Sequence, residues 1–116
     1  MTLSVSTYKR DPNTDEAIFD PYPNLGEDLA GPESWRRTVW SSATVRALGA
    51  TFLPQLATHD VYIEFHELDL FLSEIEMLIS HYEKSDENTD SILHRLNNFR
   101  KAAAFARSNQ GGVHIG

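Results

Sequence analysis

The stretch VYIEFHELDLFLSEIEMLISHYE, residues 61–83, decides the fold. Its first letters alternate, Val61, Ile63 and Phe65 against Tyr62 and Glu64, as in a half-buried strand. The same segment carries a helical repeat: Val61, Phe65, Leu68, Leu72, Ile75, Ile79 and Tyr82 follow at spacings of 4, 3, 4, 3, 4 and 3. The alternation explains five residues and the helical spacing more than twenty, so the spacing predicts one helix over about 60–83, with Asp60 as its N-cap. On such a helix Phe71 and Leu78 widen the main apolar face, and Ile63, Leu70 and Met77 form a second stripe nearly opposite. Tyr62, His66, Asp69, Ser73, Glu76 and Ser80 make a polar side between them, and Glu67 and Glu74 a narrow acidic edge. A helix apolar on two sides belongs at the centre of a domain, or else offers its second stripe to a partner or a twin subunit.

Working outward, Leu3 and Val5 alternate with serines and predict an N-terminal strand, and DPNTD (11–15) supplies a turn. Ile18 and Phe19 form a small apolar island before DPYPNLGEDLAGP (20–32), which holds three of the five prolines and reads as an ordered surface loop. Gly31, Pro32 and Glu33 suit a helix start. That helix would run to Gly49 and bury Trp35, Val39, Trp40, Ala43 and Leu48, with a weak point near Ser41. Downstream, EKSDENTDS (83–91) is a polar connection and Asp90 is placed to cap a helix in which Ile92, Leu96, Phe99, Ala103 and Ala106 repeat the helical spacing. AAAFA (102–106) gives that helix a thin surface, and Asn109, Gln110, Gly111 and Gly112 end it. Val113 and Ile115 then share one face of a closing strand, expected to pair with the N-terminal strand. The expected fold is α+β, mainly α: three helices, about 32–48, 60–83 and 90–108, packed with a small sheet of the terminal strands in a single domain, 1–116.

The chain has no cysteine, which excludes a disulfide framework, a thiolate nucleophile and a cysteine-ligated zinc. The N-terminus does not read as a signal peptide, and no stretch approaches the roughly 20 apolar residues of a membrane span, so the expected location is cytoplasmic. The formal charge of −7 is segregated. Asp11 to Trp35 holds seven acids and no base, His59 to Asp90 ten acids against Lys84, and the tail Arg95, Arg100, Lys101 and Arg107 with no acid. Basic helices can neutralise acidic ones internally, at modest gain per surface pair. Alternatively the acids form a face that steers a basic partner. Either way the balance argues against nucleic acid, whose phosphates need a cationic footprint.

The catalytic signatures fail. In the run His66-Glu67-Leu68-Asp69-Leu70 the second zinc-ligand position of H-E-x-x-H is Leu70, and no Glu-x-x-His occurs despite the Glu64/Glu67 spacing. Ser41 and Ser42 lack a nucleophile-elbow context, and Gly111 and Gly112 follow a helix instead of opening one. His94 lies one turn after Asp90, while His59, His81 and His114 stand alone and read as structural. No enzyme, metal or cofactor is expected.

The segments DVYIEFHELDLFLSEIEMLISHYE (60–83) and NNFRKAAAFARSNQGGVHIG (97–116) resemble small acidic bacterial immunity proteins of toxin–immunity systems, and uncharacterised bacterial proteins ending in a helix followed by G-G-V-x-I. The resemblance implies a non-catalytic inhibitor that neutralises a basic toxin, such as a nuclease, by covering its active site. The expected contact residues are Tyr62, His66, Asp69 and Glu76, then Glu67, Glu74 and the loop acids Glu27 and Asp28. The alternatives are a self-associating structural or regulatory subunit using Ile63, Leu70 and Met77, monomer or homodimer being open, and a small metal-dependent hydrolase.

Overall fold

The expectation of one helix over 60–83 is overturned at its first two turns. In the computed structural model, which describes residues 2–19 and 29–116, Val61–Ile63 is a β-strand (β5) and Phe65–Glu67 a single 3-10 turn. The helix proper (α3) covers Leu68–Glu83. Val61 and Ile63 lie opposite Ile115 and Val113 of the C-terminal strand β6 (Gly112–Ile115), and all four side chains are buried. A strand paired on a core face outweighs two turns of helix propensity, which is worth only tenths of a kcal/mol per residue. Phe65, which the helical spacing put on the buried face, is 49% exposed. Asp60 caps nothing; the helix entry is held by Glu67, whose Oε1 accepts the Glu64 N–H at 3.1 Å.

The fold is α+β. Strand β2 (Val5–Arg10) pairs with β6, so the expected joining of the terminal strands is present, with Val5 opposite Ile115 and Thr7 opposite Val113. β3 (Ala17–Phe19) is on the other side of β2, giving the antiparallel order β3-β2-β6-β5. β1 (Thr2–Leu3) pairs separately with β4 (Gly31–Pro32), so Gly31 and Pro32 form a strand where a helix start was expected. The expected helix over 32–48 is two short pieces, α1 (Trp35–Thr38) and α2 (Ala43–Ala47). The break covers residues 39–42, and at its end the Ser42 hydroxyl accepts the Val45 N–H at 3.2 Å and caps α2. The last helix, α4 (Asp90–Ser108), has the expected extent, with Thr89 at its N-cap and Asp90 in its first turn.

α4 packs against β2, β6 and α3. Its buried face is Leu96, Phe99, Ala102, Ala103 and Ala106, the alanines allowing the neighbouring backbones to come close. The Phe99 ring meets Trp40 at 5.2 Å and Phe71 at 6.3 Å between centroids. Trp40 is fully buried and donates its indole N–H to the Ala30 carbonyl at 2.8 Å; the Asn98 amide donates to Leu29 O at 2.9 Å. Both buried donors are thereby satisfied.

Glu74 corrects the expected acidic edge. Its carboxylate points inward, 7% exposed, and accepts the N–H groups of Thr51 (2.6 Å), Phe52 (3.0 Å) and Leu53 (2.9 Å) at the start of a 3-10 helix, Leu53–Ala57. These are orphan donors of a helix terminus, and a carboxylate is the strongest acceptor available to them. No described helix is long and apolar enough to cross a membrane.

Candidate functional site

Alternation along the strands sorts the sheet into two faces. Val5, Thr7, Val61, Ile63, Val113 and Ile115 are buried on the side of α4. The outer side carries Ser6, His114 and Tyr62 in one cross-strand row, then Tyr8 opposite both Gly112 and Phe19. Tyr8 is only 1% exposed although it belongs to the outer side. Gly112 leaves room for its ring, and Phe19, Tyr62 and the Arg10 guanidinium cover it at 6.1, 5.4 and 5.0 Å. Phe19 and Tyr62 are left half-exposed, at 48% and 45%. The His114 ring sits between them, 5.5 Å from Phe19 and 4.6 Å from Tyr62. This is an aromatic surface with an imidazole at its centre.

Ion pairs border it. The Arg10 guanidinium holds Glu64 through Nε (3.1 Å) and Nη2 (3.0 Å), and the Tyr8 hydroxyl donates to the same carboxylate. Arg10 keeps the Glu64 carboxyl below its ordinary range, while burial, then Glu64, pushes the Tyr8 phenol up. At the other end Asp60 receives Arg36 Nη2 at 2.6 Å on one oxygen and lies 3.5 Å from His114 Nε2 with the other. Arg36 also pairs with Glu33 and donates to the Leu56 carbonyl at 3.1 Å. It lowers the Asp60 carboxyl; burial lowers the His114 imidazole, with Asp60 partly opposing. Two guanidinium groups thus meet three carboxylates, and the border of the face is left slightly acidic.

Of the described residues singled out from sequence, Tyr62 alone belongs to this face. His66 is exposed at a cleft of about 360 Å³ at the edge of this face, which shares Tyr8, Arg10 and Glu64 with it and is lined also by Phe65 and Gln110. Asp69 pairs with Arg107 and Glu76 with Arg100 (2.9 Å), so α4 cations neutralise α3 acids. Glu67 is spent on the helix entry, Glu74 is buried, and Glu27 and Asp28 lie outside the described residues, as does most of the expected loop. The apolar stripe is also dismantled: Ile63 is in the sheet core, while Leu70, 67% exposed, and Met77 border a shallow groove of about 310 Å³ with Phe52. Among the described residues Glu83, Asp86, Glu87 and Asp90 have no cationic partner, nor do Asp11, Asp15 and Glu16 around the β2–β3 turn form a side-chain ion pair. No described group of three His, Asp or Glu side chains is disposed to hold a metal.

Phe19, Tyr8 and His114 were not picked out from sequence as site residues. Their signals were present but weak: an apolar pair after a DPNTD turn, and a histidine alternating with Val113 and Ile115.

The pairs fix a pH dependence of stability. His114, lowered in the fold, favours the neutral form, so its contribution is complete above the usual imidazole value of about 6.5 and is lost as pH falls through the folded value. Asp60 and Glu64, also lowered, contribute fully above about 4 and lose that contribution on further acidification. Urea unfolding at pH 7.5, 5.5 and 3.5 is expected to show two successive losses, with His114→Gln removing the upper one.

Comparison of the chain with models of known protein families, with curated proteins and with solved structures finds no match.

Proposed function

We propose that the protein is a non-catalytic binding module that docks a basic protein on the outer face of its sheet. The concrete form we favour is a cytoplasmic immunity-type inhibitor that covers the active site of a basic toxin. The supporting observation is the pair of half-exposed rings, Phe19 and Tyr62, around His114 on a sheet face bordered by ion pairs. Aromatic anchors within a polar rim are what concentrate binding energy at protein interfaces. The chain's charge of −7 and the turn acids Asp11, Asp15 and Glu16 beside this face favour a cationic partner through steering.

The test compares the tagged protein with its Phe19→Ser/Tyr62→Ser variant as bait in extract of the native host, the buried Trp40 signal reporting that the variant is folded. A basic protein is expected on the wild type at low salt, with retention by the variant reduced at least about tenfold. Undiminished retention removes this face as the docking site. The exposed Leu70 and its groove keep self-association as the second reading: loss of retention with Leu70→Asp alone, and a dimeric mass abolished by the same change, would favour it.

A further inference from the structure

His114 is the imidazole at the centre of the aromatic row, where the packed rings around it disfavour its charged form and one carboxylate, Asp60, stands near it. Its side chain is 15% exposed, between the rings of Tyr62 on β5 and Phe19 on β3, with Ser6 of β2 opposite. The charged groups near it are Asp60, preceding β5, and Arg36 of α1 behind that carboxylate; Arg10 and Glu64, bound to each other, occupy the next part of the face. The nearest anionic acceptor, Asp60 Oδ2, is 3.5 Å from Nε2, beyond a strong hydrogen bond. The other oxygen of that carboxylate is committed to Arg36 at 2.6 Å.

We propose that protonation of His114 switches the docking face: the imidazolium closes on Asp60, in competition with Arg36, and the turn of its ring displaces Tyr62 and Phe19, releasing the bound partner in mild acid. The regulation rests on the docking role proposed for this face. An imidazolium that is largely buried, with its carboxylate neighbour still at 3.5 Å, is only partly compensated, and shortening the Asp60 contact is the nearest relief. A turn of the ring changes its contacts with the two aromatics packed on it, at 5.5 and 4.6 Å, which are the exposed anchors themselves. Burial holds His114 below its usual range, so the face is in its binding form at neutral pH.

The test is NMR of the free, full-length chain between pH 7.5 and 5.0, following the His114 Cε1–H and the ring protons of Tyr62 and Phe19. The buried Trp40 resonance shows that the fold persists. All three rings are expected to shift with one midpoint below about 6.5, the Tyr62 and Phe19 shifts vanishing in His114→Gln. Retention of the basic partner should fall at least about fivefold between pH 7.5 and 5.5 in the wild type alone. Tyr62 and Phe19 rings that stay still while His114 titrates, or that shift equally in His114→Gln, overturn the switch and leave the docking face untouched. Retention insensitive to Phe19→Ser/Tyr62→Ser removes the docking face, and its regulation with it, even where the rings titrate.

Discussion

Glu74→Ala is expected to destabilise the protein by about 3 kcal/mol, measured by urea unfolding at pH 7.5. The carboxylate is buried on α3 and accepts three consecutive backbone N–H groups, those of Thr51, Phe52 and Leu53. Alanine leaves these donors unmet at the N-terminus of a 3-10 helix whose Leu53 and Leu56 are fully buried. Each unsatisfied buried donor costs about 1–3 kcal/mol; solvent entering the vacated space recovers part of it. Glu74→Gln retains one acceptor oxygen but turns an N–H2 toward the donors, and should lose about half as much. A Glu74→Ala protein as stable as the wild type would mean that the 51–53 backbone finds other acceptors.

Gly112→Ala is expected to cost at least about 3 kcal/mol, and to reduce the sheet signal in circular dichroism. A methyl at this position lies inside van der Waals contact of the Ile63 carbonyl oxygen and 2.6 Å from the Tyr8 Cζ and hydroxyl oxygen. The carbonyl is backbone of β5 and cannot yield, while the Tyr8 ring is held by Glu64, Phe19 and Tyr62. The strand would have to separate from β5 or expel Tyr8. Gly49 is the control: its φ is 95°, but nothing lies within 4 Å of an added Cβ, so Gly49→Ala carries only left-handed strain of about 1–2 kcal/mol. Equal losses at the two positions would contradict the close packing at Gly112.

Sequence periodicity is reliable where an element is stabilised locally and fails where the element depends on a distant partner. α4 was legible because its spacing, its alanines and its polar flank all agree, and because a helix of 19 residues is largely a local object. The pairing of the terminal strands was legible from the alternation of Val113 and Ile115, which only a partner strand can use. β5 was not, since three residues are a strand only by virtue of β6 some fifty positions away. Val61 and Phe65 extend the α3 spacing by coincidence. α4 ends within the expected Asn109–Gly112 run, where the left-handed residue is Gln110, φ 56°, and Gly112 serves close packing on Tyr8 and Ile63.

The misplaced strand then misplaced the candidate surface. On a helix Tyr62, His66 and Asp69 share a side; on the actual backbone Tyr62 belongs to the sheet, His66 to a 3-10 turn and Asp69 to an ion pair with Arg107. The segregation of charge was visible, and much of it resolves internally, α3 acids meeting α4 cations at exposed pairs of small individual value. Glu74 was indistinguishable in sequence from a surface acid, because its acceptors' donors come from residues 51–53 of a distant turn.

The proposed docking surface is the outer face of the sheet at Tyr62. The most direct test places a photo-crosslinking benzoylphenylalanine at position 62 or, separately, at position 70 on α3, and irradiates each protein in extract of the native host. A basic protein is expected to crosslink from position 62 and not from position 70. Crosslinking of that protein from position 70 alone, or of a second copy of this chain from position 62, would contradict it.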